Sequence, residues 1–81
     1  MLDEKIRILE VLVNNYNDGR SKGFYCLAVN LLDLDALKDI MVQIDRDIDP
    51  KDISLKEKAG MIKSLFEAHA CKEGIELKLR K

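Results

Sequence analysis

The sequence predicts a mainly α protein: a compact bundle of three to four short helices closed by one short C-terminal β-strand. Three observations carry this. Apolar residues recur every three to four positions along most of the chain. A helix start signal at Ser54 and a stop signal at Gly74 bracket the longest such stretch. After Gly74 the pattern changes to strict alternation. With 81 residues the chain has room for a single small helical domain spanning 1–81. A domain of this size buries only about 60% of the surface its unfolded chain exposes. Self-association is one way to add stability.

The first helix is expected over 2–16. Leu2, Ile6, Leu9, Val13 and Tyr16 share one stripe, widened by Ile8 and Leu12. Asp3 and Glu4 stand where the helix dipole favours negative charge. Asn17-Asp18-Gly19 is turn chemistry, since Asn and Asp bond their own backbone and Gly tolerates positive φ. A short basic loop follows, Gly19-Arg20-Ser21-Lys22-Gly23.

Phe24 to Leu32 is apolar nearly throughout. Read as a helix, its core line is Phe24, Leu27, Ala28 and Leu31, and its breadth of apolar surface marks a buried element. The alternative is a small α+β fold in which a strand over 24–29 pairs with one over 75–80. Helix is the preferred reading.

Asp33 or Asp35 caps a third helix running to about Asp47, with the stripe Leu34, Leu37, Ile40, Met41, Ile44 and Ile48. Pro50 ends it. The fourth helix starts at the capping box Ser54-Leu55-Lys56-Glu57 and stops at Gly74, with Ile75 placed for the apolar contact of a Schellman turn. Leu55, Ala59, Ile62, Phe66, His69 and Ala70 form its inner face. Gly60, Ser64, Ala68 and Cys71 form a second line of small residues. Gly inside a helix costs about 1 kcal/mol relative to Ala, so this line is expected to receive a second backbone at close range. The tail Ile75-Glu76-Leu77-Lys78-Leu79-Arg80 reads as the strand.

The net charge of −1 gives no global field for nucleic acid or a membrane surface. Aromatic residues make up 5% and there is no Trp, which argues against a base-stacking surface. Charge is nevertheless uneven. Six acids against two bases in 33–50 give −4, and eight bases against five acids in 51–81 give +3. Opposed patches of this kind can orient a partner. The opening Met1-Leu2-Asp3-Glu4-Lys5 lacks the basic-then-apolar order of a signal peptide, and no apolar run reaches the ~18 residues of a membrane span. Two cysteines, Cys26 and Cys71, make no disulfide framework. A cytoplasmic location is the expectation.

Several fragments mimic chemical motifs and fail on the residues that matter. Lys22-Gly23-Phe24 opens like the base-stacking motif of RNA-recognition domains, but Tyr25, Cys26 and Val29 stand where a small residue and two aromatics belong. Asp45-Arg46-Asp47-Ile48-Asp49-Pro50 opens like a calcium loop, but Pro50 replaces the turn glycine and Lys56 the bidentate glutamate. His69 and Cys71 point about 200° apart on a helix and cannot share a metal ion. Cys26 falls in the buried-looking segment and is expected to behave as a small hydrophobe. With a single histidine, no serine–histidine–acid arrangement can form. No catalytic residue, metal ligand or cofactor is expected.

The sequence therefore favours a non-catalytic protein-interaction or regulatory module that binds a protein partner or itself. The candidate interface residues are Gly60, Ser64, Ala68, Leu77 and Leu79. One alternative is a phosphate- or nucleotide-binding domain using Gly19, Arg20, Ser21, Lys22 and Gly23, where a Gly-flanked loop entering a helix presents N–H groups and two cations. Another is an accessory subunit of an enzyme.

Overall fold

The computed structural model describes residues 2–77. It is a mainly α bundle of four helices: α1 (Leu2–Asn15), α2 (Lys22–Leu31), α3 (Leu34–Gln43) and α4 (Leu55–Lys72). A π-helical turn, Ile44–Ile48, carries α3 onward without a break. There is no strand among the described residues. Residues 24–29 are helical, so the α+β alternative does not hold. Among the described residues no extended segment is available as a partner, and residues 75–77 are irregular. Ile75 and Leu77 pack against the core instead. The rest of the expected strand, 78–80, lies outside the described residues.

Local chemistry sets the boundaries. Asp33 caps α3, its carboxylate accepting from the Ala36 N–H at 2.8 Å. Ser54 caps α4, its hydroxyl accepting from the Glu57 N–H at 3.1 Å. The Glu57 carboxylate accepts from that hydroxyl rather than reaching the Ser54 backbone, so the capping box closes in part. At the other end the Ile75 N–H donates to the Ala70 carbonyl and the Gly74 N–H to the Cys71 carbonyl. Gly74 has φ +72, and the pair of bonds is a complete Schellman turn. At the end of α3, the Asp49 N–H donates five residues back to the Ile44 carbonyl at 2.8 Å. Pro50 has no N–H to continue the ladder, and the chain leaves through a turn closed by the Lys51 N–H on the Ile48 carbonyl.

α1 and α2 pack as an antiparallel hairpin, with Lys5 near Asn30 at one end and Tyr16 near Tyr25 at the other. α3 returns alongside α1 in roughly the same direction, so that Glu4 meets Lys38 and Tyr16 meets Asp49. α4 covers the core from the side of the π-turn. Leu12, Tyr25, Ala28, Leu32, Leu37, Ile40, Ile44, Ile62 and Phe66 are fully buried in one cluster. Phe24, Tyr25 and Phe66 join α2 to α4 through edge-on and tilted ring contacts at 6.2–6.5 Å.

Two expected faces differ in detail. On α2 the buried face is Phe24, Tyr25, Ala28 and Val29, while Leu31 is exposed and so is Cys26. An element apolar on most sides offers several core lines, and packing selects one of them. On α4 the small line faces solvent: Gly60, Ser64, Ala68 and Cys71 are all exposed. A Cβ at Gly60 would have nothing within 4 Å, so among the described residues no second backbone approaches α4 at that point.

Candidate functional site

The basic loop is organised from within. The Asn17 side-chain oxygen accepts from the Gly19 N–H at 3.0 Å, and the Asp18 carboxylate accepts from the Arg20 N–H at 3.0 Å. The same carboxylate oxygen of Asp18 accepts from the hydroxyl of Ser21, a fully buried residue, at 2.7 Å. These bonds, led by the Ser21 hydroxyl, hold the Asp18 carboxyl below its ordinary pKa. Gly19 supplies the positive φ of +93 that the turn requires. Arg20 is exposed, and Lys22 and Gly23 belong to the first turn of α2, also exposed. The five residues are thus neighbours, but a carboxylate of the chain already sits on the Arg20 N–H and the Ser21 hydroxyl.

Of the residues placed at an interface by the sequence, Gly60, Ser64 and Ala68 lie along one exposed line of α4. Leu77 is half-buried against the core, and Leu79 lies outside the described residues. Among the described residues of the set, Leu77 thus packs inward while Gly60, Ser64 and Ala68 face solvent. His69 is half-buried, its Nε2 3.4 Å from Nε2 of Gln43 on α3. Among the described residues no three His, Cys, Asp or Glu side chains come together as a metal site. None of the described helices is long and apolar enough to cross a membrane.

An open groove of about 570 Å³ lies between α1 and α3. Its floor and lips are Ile8 from α1 and Met41 and Val42 from α3. Val42 is 58% exposed, the highest value among the described large hydrophobic residues, and Val11 is 40% exposed one turn beyond Ile8. At 100° per residue, Val11 points between Arg7 and Ile8 and so extends the apolar lip of α1. One end of the groove is lined by Glu4, Arg7 and Lys38. Lys38 Nζ stands 3.1 Å from the Glu4 carboxylate and, by that hydrogen bond and its charge, lowers the carboxyl's pKa. Beyond the groove, the Tyr16 phenol donates to the Asp49 carboxylate at 2.8 Å, and the charge of Asp45 also favours the protonated phenol.

Val42 escapes the periodicity argument because it lies off the apolar stripe of its own helix. An aliphatic residue outside the stripe was the one signal available. Its meaning needs Ile8 of another helix beside it, which spacing along the chain does not report. Compared with known protein families, curated proteins and solved structures, the chain matches none of them.

Proposed function

We propose that this chain is a small cytoplasmic interaction module without catalytic activity, and that it engages a protein partner on the face made by α1 and α3. The exposure of Val42 on the lip of an apolar groove carries this reading. A single exposed aliphatic side chain is ordinary, but one on the lip of a concavity lined by the half-buried Ile8 and Met41 is the kind of surface proteins cover. Covering a Val or Ile side chain fully is worth about 1.5–3 kcal/mol. A chain with net charge −1 suits a protein partner better than nucleic acid. Two free, exposed thiols, Cys26 and Cys71, suit a reducing compartment.

A photo-reactive amino acid placed at Val42, and in a separate variant at Ser64 on the exposed side of α4, tests the reading in living cells. Protein adducts are expected from position 42 and not from 64. An absence of adducts at 42, or equal yields from both positions, would overturn it.

A further inference from the structure

We infer that Asp18 is a site of spontaneous isomerisation to isoaspartate, and that the hydrogen bonds of the turn between α1 and α2 suppress the reaction while the chain is folded. Asp18-Gly19 is the one place in the sequence where glycine follows an aspartate or asparagine. Glycine has no Cβ to shield its nitrogen from the side chain before it. The Gly19 nitrogen forms a bond to the side-chain carboxyl carbon of Asp18. The C–OH bond of the protonated carboxyl breaks, and the hydroxyl leaves with the amide proton as water. The five-membered imide then takes up water again. Opening at the side-chain carbonyl restores aspartate. Opening at the main-chain carbonyl routes the backbone through the side chain, one carbon longer, and leaves the carboxylate on Cα. No oxidant, reductant or further reactant takes part.

Packing does not prevent this. Gly19 is exposed, and a Cβ there would have nothing within 4 Å. Hydrogen bonds do prevent it. The Gly19 N–H is committed to the Asn17 side-chain oxygen at 3.0 Å. One carboxylate oxygen of Asp18 is held by both the Arg20 N–H at 3.0 Å and the Ser21 hydroxyl at 2.7 Å. Both donors lie beyond Gly19 in the chain, so the carboxyl is drawn past the nitrogen that would attack it. The same bonds, the Ser21 hydroxyl foremost, hold the carboxyl's pKa below its ordinary value, and an ionised carboxylate has no hydroxyl to lose. Ser21 is itself anchored: it is fully buried, and its carbonyl accepts from the Tyr25 N–H at 2.9 Å. Turning the carboxylate toward Gly19 therefore takes the acceptor from a buried hydroxyl that cannot follow it. Isomerisation proceeds when the turn opens, at a rate set by the open fraction.

The full chain is held for several weeks in warm neutral buffer, folded and, in parallel, unfolded in guanidinium. Ser21→Ala and Asn17→Ala are held without denaturant, their fold checked by circular dichroism. The tryptic peptide Ile8–Arg20 carries residue 18. Isomerisation leaves its mass unchanged, whereas deamidation of Asn14, Asn15 or Asn17 raises it, and electron-transfer fragmentation places isoaspartate at 18. The folded wild type is expected to accumulate least and the unfolded chain most. Ser21→Ala is expected to speed the reaction by about tenfold, the worth of one hydrogen bond to a charged group. Asn17→Ala, which frees the Gly19 N–H alone, is expected to give a smaller rise.

An unfolded chain without isoaspartate at 18 overturns the site. Equal rates in the folded and unfolded chain overturn the protection. A folded Ser21→Ala that keeps the wild-type rate overturns the part given to the hydrogen bonds. Should Ser21→Ala fail to fold, a folded Asn17→Ala at the wild-type rate overturns it in the same way.

Discussion

Two tyrosines do much of the polar fastening. α1 ends at Asn15, and the carbonyl of Tyr16 just beyond it has no helical N–H to receive. The fully buried Tyr25 of α2 fills that need, its hydroxyl donating to the Tyr16 carbonyl at 2.6 Å. Tyr25→Phe keeps the ring packing and strands the buried carbonyl. It is expected to cost about 1–3 kcal/mol, readable as a lower urea midpoint with an unchanged slope. Tyr16→Phe is expected to cost less, because its acceptor Asp49 is exposed and water replaces the lost donor. Burial, more than any other cause, pushes the Tyr25 phenol from 10.0 to about 12, and burial with the Asp49 hydrogen bond raises Tyr16 as well. Folding therefore favours the protonated phenols. That contribution is whole below pH 10, the unfolded value, and drains away as pH climbs through about 12. Thermal midpoints are expected to fall across that alkaline window. Because these are the protein's two tyrosines, tyrosinate absorbance should rise late and together with unfolding. A normal phenol titration preceding unfolding would contradict the burial of both rings.

At the scale of the element, the glycine inside α4 and the one just past its end do opposite things. Gly60 sits inside the helix with open space around it, so Gly60→Ala is expected to stabilise the fold by up to about 1 kcal/mol. Gly74 holds φ +72 in the Schellman turn, so Gly74→Ala is expected to cost about 1–2 kcal/mol. Differential scanning calorimetry of the two variants should move in opposite directions. The same helix shows what sequence can reveal. Ser54, Glu57 and Gly74 act on backbone groups within five residues, and their effects are legible because they are local. The face of α2 was not legible, since Leu27, Leu31 and Val29 offer periodicity in several directions and the choice is made by Phe66 from elsewhere in the chain. The tail alternates like a strand, yet alternation describes only which side chains share a face. A strand also needs a neighbour with free backbone groups, and residues 22–31 spend theirs within a helix. The small line on α4 misled for a related reason: small residues permit close approach but do not require it.

For the whole molecule, the candidate surface is a product of arrangement. Ile8 and Val42 are separated in sequence by one helix, α2, and the two loops that flank it, and they become neighbours only because α3 runs alongside α1. No spacing rule along one element could place them together. The uneven charge was legible as a total of −4 over 33–50, but the structure gives it direction. Asp45 and Asp49 stand by Tyr16 just past the end of α1, and Lys38 pairs with Glu4 near its start.

The tie that runs from Tyr25 through Tyr16 to Asp49 has a consequence for how the bundle comes apart. It knots three segments at one pole, where Lys58 adds a further strap to the Asp49 carbonyl at 2.8 Å. Among the described residues, the opposite pole has the water-exposed Glu4–Lys38 pair and a long Lys5–Asn30 contact. The helices are thus gathered like stems bound most firmly at one end, and loosening is expected to begin at the other. That other end carries the Glu4 and Lys38 lip of the groove, so the part of the surface proposed to meet a partner is also the part expected to adjust most readily to it.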